Sequence, residues 1–212
     1  MPKKELLDPR KMPSQERARK TMATIYEAAA NVFDEIGYAE ATTEQIAQKA
    51  GVSIGTLYNY FPGKEAILHG LWEKTMQEIK TTTQQVNQEI RKQGFVDSSI
   101  ITGLLYMVFD LFSYQKLPNR LFISQVGLPE VFIQKRKELG NYMESVTEEI
   151  FRDFANVRIR NPRVGVHILW ATVQAVIHDY MLSNTEEIKS EELINELSDM
   201  IGRYIFTDDT DK

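Results

Sequence analysis

The chain has 212 residues, a formal net charge of −5 and no cysteine. That length suits one large domain or two small ones and buries a core without staples. The missing thiols exclude disulfides, Fe–S clusters, thiolate zinc sites and a cysteine nucleophile. The net charge hides an asymmetry: residues 1–20 carry a local +4, whereas residues 65–212 carry −6. A basic arm before an acidic body directs attention to nucleic acid at the N-terminus only. Those first 20 residues contain no apolar stretch of a secretory signal, and the longest apolar run is Leu104–Phe109. A membrane span needs about 20 such residues, so a soluble, cytoplasmic protein is expected.

In chain order, Ile25, Ala28, Ala29, Val32, Phe33 and Ile36 form one helical stripe, which Gly37 stops. Thr42 with Gln45 three residues later predicts a capping box for a short helix interrupted at Gly51. Ser53 predicts the cap of a second short helix, 54–60, before Pro62-Gly63 breaks the chain. A long helix follows from Lys64 to about Lys92, and further helical patterns occupy 98–116, 119–127, 130–155, 163–183 and 190–206. Pro118, Pro129 and Pro162 stand where helices would begin. No alternating strand pattern and no repeat is present. The expected fold is all-α with about nine helices, divided into residues 1–64 and 65–212.

The segment from about 42 to 61 reads as a helix–turn–helix turning at Gly51. Val52 and Leu57 supply the packing side of the second helix. Ser53, Ile54, Gly55, Thr56, Tyr58, Asn59 and Tyr60 remain outside. Such a row fits a DNA major groove, with Lys64 beyond it and the basic residues Arg17, Arg19 and Lys20 ahead of it. The competing reading is an ordinary helical hairpin whose outer residues meet only water.

Tyr38-Ala-Glu-Ala-Thr-Thr, Ile46-Ala, Gly51-Val-Ser-Ile-Gly-Thr-Leu-Tyr-Asn-Tyr-Phe and Lys64-Glu-Ala-Ile-Leu68 resemble the N-terminal signature of the TetR family of bacterial transcriptional regulators. The resemblance covers roughly residues 16–70. It implies a homodimeric, all-α repressor whose N-terminal helices bind operator DNA and whose C-terminal helices dimerise and hold a small-molecule effector. Carried over by position, Thr43, Ser53, Gly55, Thr56, Tyr58, Tyr60 and Lys64 match DNA-contacting positions, mostly toward phosphate. Ile54 and Asn59 stand where the family reads bases. Ile54 can touch a thymine methyl but cannot pair with guanine.

The C-terminal part is read from its own patterns. Val166, Trp170, Val173 and Ile177, with Leu193, Leu197, Ile201 and Tyr204, make apolar stripes on two terminal helices that suit a four-helix dimer seam. The same stripes could serve the chain's own core. Tyr106, Phe109, Phe132, Tyr142 and Trp170 offer an aromatic lining, and Gln174 and His178 are candidate polar anchors for a mainly apolar effector. His167 and His178 are about 16 Å apart along one helix, too far to share an ion, so no metal and no other cofactor is expected. Enzymatic signatures (G-x-S-x-G, a phosphate loop, H-E-x-x-H) are absent. A binding scaffold without operator affinity is the other alternative, and salt-dependent DNA binding separates it from a regulator.

Overall fold

The computed structural model describes residues 9, 16–113, 127–154, 156–183 and 187–206. Eight α-helices lie among them: α1 Glu16–Glu40, α2 Thr43–Lys49, α3 Ile54–Tyr60, α4 Lys64–Gln93, α5 Ser98–Ser113, α6 Glu130–Asp153, α7 Pro162–Ser183 and α8 Ser190–Ile205. The expected helix at 119–127, with Pro118 and Phe122, falls almost wholly outside the described residues. No helix among the described residues is long and apolar enough to cross a membrane. The helices form two compact units. One contains the described residues up to Lys80 together with 127–133, and the other contains Thr81–Ser113 and the chain from Gln134 onward. The first half of α4 therefore belongs to one unit and its second half to the other.

In the first unit, Ile25, Phe33, Ile46, Leu57, Phe61, Ile67 and Leu68 are fully enclosed. Each such side chain contributes about 1.5–3 kcal/mol relative to exposure. Gly37 breaks the helical path of α1 with φ +82° and turns Tyr38 inward, where its ring packs 5.3 Å from Phe33. Ile36, the last member of the predicted stripe, is left exposed beside that break. Tyr26 lies edge-on to Phe61 at 5.1 Å and rests against Gly70 of α4 so closely that a Cβ there would stand 2.0 Å from the phenol oxygen. Burial pushes the Tyr26 hydroxyl up to about 12.

In the second unit, α5 packs on α8, joined by the Thr102 and Ser198 hydroxyls at 2.6 Å. Val157 and Phe206 form a single antiparallel bridge, and the Arg158 guanidinium binds the carbonyls of Arg203 and Tyr204 at the end of α8. That cation answers the negative end of the helix. Pro162 is the first residue of α7, as predicted, because its missing N–H is not needed there.

Candidate nucleic-acid interface and effector cavity

Two helices of seven residues are too short to persist alone, so caps and anchors define them. Thr42 Oγ1 accepts from the Gln45 amide at 3.2 Å, while Gln45 Oε1 accepts from the Thr42 amide at 2.8 Å. This is the predicted capping box. Gly51 takes φ +65° in the turn, and the Val52 amide donates to the Ala47 carbonyl at 3.0 Å. Ser53 Oγ then accepts from the Thr56 amide at 3.0 Å and starts α3. Leu57 fixes α3 from below, fully buried.

The opposite side of α3 presents Ser53, Ile54, Gly55, Tyr58 and Asn59 to solvent, with Thr56 and Tyr60 half-buried. Thr43 is buried, and its hydroxyl lies 3.0 Å from that of Tyr58, tying α2 to the outer face of α3. Arg17 and Lys20 are exposed on the first turns of α1, where Lys20 meets Glu16 at 3.6 Å in a weak surface pair. Lys64 departs from this group. Sequence alone directs it to phosphate, but its ammonium donates to the carbonyls of Tyr38 (2.8 Å), Ala39 (3.0 Å) and Ala41 (2.8 Å). All three of its donors are thereby occupied, and the charge sits 4.6 Å over the Tyr38 ring.

A sequence model of bacterial regulatory proteins, tetR family, matches residues 25–71, the segment that holds this arrangement. Residues 25–71 therefore match the N-terminal segment of TetR-family regulators. The chain's relatives include the A-factor receptor protein of Streptomyces griseus, 38% identical over 119 residues. That match spans 55% of this chain and 40% of the receptor's own length. The HTH-type transcriptional regulator UidR of Escherichia coli (strain K12) is 22% identical over 184 residues, 87% of this chain and 89% of UidR. Among solved structures, the transcriptional regulator FadR from Bacillus subtilis in complex with stearoyl-CoA superposes with a TM-score of 0.67 at 19% identity, covering 86% of this chain and 98% of that one. This last likeness shows a shared fold.

The second unit contains a partly open cavity of about 90 Å³. Its wall comes from the second half of α4, from Val96 in the connection to α5, from α5, α6 and α7, and from Ile201 of α8. Val86, Leu104, Met107, Met143, Phe151 and Trp170 give its character, and among the described residues no ionisable side chain lines it. Of the residues expected to hold an effector, Trp170 is in this wall, its indole N–H donating to the Thr147 hydroxyl at 3.1 Å. Tyr106, Phe109, Tyr142, Gln174 and His178 are not in it, and Phe132 belongs to the first unit, packed on Trp72 at 6.4 Å. Gln174 is exposed. Aromatic and polar residues at helical spacing specify a face, and that face need not be the one that borders a void. Sequence reasoning missed Thr83 and Thr147. The signal for Thr83 was its place on the same α4 register as the buried Thr75 and Ile79.

The dimer residues divide in a similar way. Val166, Val173, Ile177, Leu197 and Ile201 are buried within their own unit, and Leu193 is half-buried. Periodicity records burial without naming the partner, and here the partner is the chain itself. Tyr204 is exposed, as are Val164, Ile168, Ala171 and Ala175, which follow one another at i, i+4, i+7 and i+11 on the far side of α7. Met200 is exposed one turn before Tyr204, whose hydroxyl approaches a Cβ placed on Gly165 to 3.3 Å. Val164, Ile168, Ala171 and Ala175 thus make an exposed apolar row along α7, and Tyr204 of α8 reaches the start of that row.

His178 points elsewhere. Its half-buried imidazole is held below the ordinary histidine range, first by burial and then by the nearby Arg136 charge. The unfolded chain therefore binds a proton that the folded chain resists, so stability is full above about pH 6.5 and declines as pH falls through it. Between about pH 7.5 and about pH 5.5, His178→Leu should reduce the loss of Tm seen in the wild type. An identical acid-side decline in both proteins would assign the effect to other groups.

Proposed function

We propose that this chain is a TetR-type ligand-responsive DNA-binding transcriptional regulator rather than an enzyme, acting as a homodimer in the cytoplasm, and a repressor that an apolar effector releases from its operator. The exposed face of α3 carries the reading: Ile54, Tyr58 and Asn59 project from a short, capped helix within the segment that the family's sequence model matches. Ser53, Thr56, Tyr58 and Tyr60 serve phosphate positioning, with Arg17 and Lys20 adding charge, whereas Ile54 and Asn59 read bases. The second copy docks on the strip Val164–Ile168–Ala171–Ala175 with Met200 and Tyr204, which leaves two recognition helices for two half-sites.

Effector action follows from linkage. A ligand releases DNA only by binding the DNA-incompetent conformation more tightly. Helix α4 is the covalent route, since it begins at Lys64 and carries Thr83, Val86 and Ile90 into the cavity wall. Half-sites lie about 34–36 Å apart per helical turn, so a shift of a few ångströms in recognition-helix separation lowers affinity.

Selection of operator sequences from a random library, followed by binding at several salt concentrations, tests this. The affinity should fall steeply with salt. Asn59→Ala should relax discrimination at one base pair per half-site by about 1–3 kcal/mol, because an asparagine amide pairs bidentately with adenine. No enriched sequence for the wild type would refute the regulator reading, and the same operator with the same stringency for Asn59→Ala would remove that residue from base readout.

A further inference from the structure

The wall of the second unit's cavity is aliphatic, aromatic and thioether in character, yet one polar atom in it lacks a partner. Thr83 is 7% exposed and lines the cavity from α4. Thr75, two turns earlier on the same buried register, satisfies its hydroxyl by donating to the Leu71 carbonyl at 3.0 Å. Thr83 does not do so. Its Oγ1 is enclosed and has no hydrogen-bond partner. The other hydroxyl of the wall is already engaged: Thr147 donates to the Met143 carbonyl at 2.8 Å and accepts from the Trp170 indole at 3.1 Å. Buried polar groups in folded proteins are nearly always paired, so an unpaired hydroxyl on a residue of the cavity wall, one side-chain rotation from the void, calls for a partner.

Taking the cavity as the effector site proposed above, we infer that it admits an uncharged, largely apolar molecule with a single hydroxyl or carbonyl group, and that Thr83 binds that group. A threonine hydroxyl both donates and accepts, so it matches either one. A carboxylate or phosphate would enter without a counter-charge from the described residues, since none of those in the wall is a cation. A molecule with several polar groups would find no second free partner of comparable capacity. The thioethers of Met107 and Met143 allow the apolar remainder to vary in shape.

Octanol and octanoate distinguish these chemistries at equal chain length. Full-length wild type, Thr83→Ser and Thr83→Val are titrated calorimetrically with each probe, and release of operator DNA is followed in parallel. Octanol should bind wild type and Thr83→Ser alike and Thr83→Val about fivefold more weakly. Octanoate should bind wild type at least about tenfold more weakly than octanol. The unliganded Thr83→Val protein should have a raised Tm, because it no longer buries an unpaired hydroxyl. Equal octanol affinity in wild type and Thr83→Val, or a lowered Tm for that variant, would overturn the Thr83 assignment while leaving the effector reading intact. Tighter binding of octanoate would overturn the uncharged class. Binding of neither probe by protein that still holds operator DNA would overturn both the inference and the effector reading of the cavity.

Discussion

Lys64→Met should lower the Tm of the first unit and weaken operator binding while leaving the salt dependence of that binding unchanged. The lysine begins α4 but spends its ammonium on three carbonyls at and just beyond the end of α1. Methionine keeps the length and apolar stem and removes every donor. Hydrogen bonds from a charged donor are worth roughly 1.5–3 kcal/mol each when enclosed. These sites are only partly shielded, so about 2–3 kcal/mol in total is expected after allowing for solvent screening. Operator affinity would fall because the path between α1 and α2 loses its fixed form. A phosphate contact predicts something different: a salt slope reduced by about one and a Tm close to wild type. Thermal unfolding combined with binding at four or five salt concentrations decides between them. A normal Tm with a flattened slope would return Lys64 to the DNA surface.

Ile168→Glu should convert the dimer into monomers without loss of helix content. The residue is half-exposed in one copy and central to the apolar strip of α7. In a two-fold interface one substitution appears twice, and each buried, unpaired carboxylate costs several kcal/mol. A rise in the dimer dissociation constant of more than about 10³ follows. Sedimentation velocity would show the change, and operator binding would weaken because one recognition helix grips only a half-site. Phe95→Glu is the control, being equally exposed but in the connection between α4 and α5. If Ile168→Glu stays dimeric, the second copy docks elsewhere.

Local chemistry made the recognition unit readable from sequence. The stop at Gly37, the turn at Gly51, the Thr42–Gln45 box and the Ser53 cap each depend on one or two residues acting on their immediate neighbours, and all are present. The length of α4 was readable for the same reason, since nothing between Lys64 and Gln93 breaks a helix. The direction taken by Lys64 was not, because its three acceptors lie more than 20 residues away in the chain. Nor could periodicity apportion the two sides of α7. Val166, Val173 and Ile177 face inward and Val164 and Ile168 outward, and both sets recur at helical spacing. The cavity was least legible of all. A void is defined by atoms that are missing between five elements, and no single helix records it.

The contact between Tyr26 and Gly70 limits how α4 can move. The phenol lies flush on the backbone of α4, leaving no room even for a methyl group. Sliding α4 lengthwise would drive the next side chain, bulkier than glycine, into that ring, whereas tilting about the contact leaves it nearly undisturbed. The contact therefore pins the first turns of α4 within the first unit, less than two turns after the Lys64 ammonium ties the same helix to the end of α1. A methyl group at Gly70 would press on the Tyr26 ring from its oxygen to its edge, so that Gly70→Ala would force the phenol off α4 and loosen the clasp that holds these two helices in register.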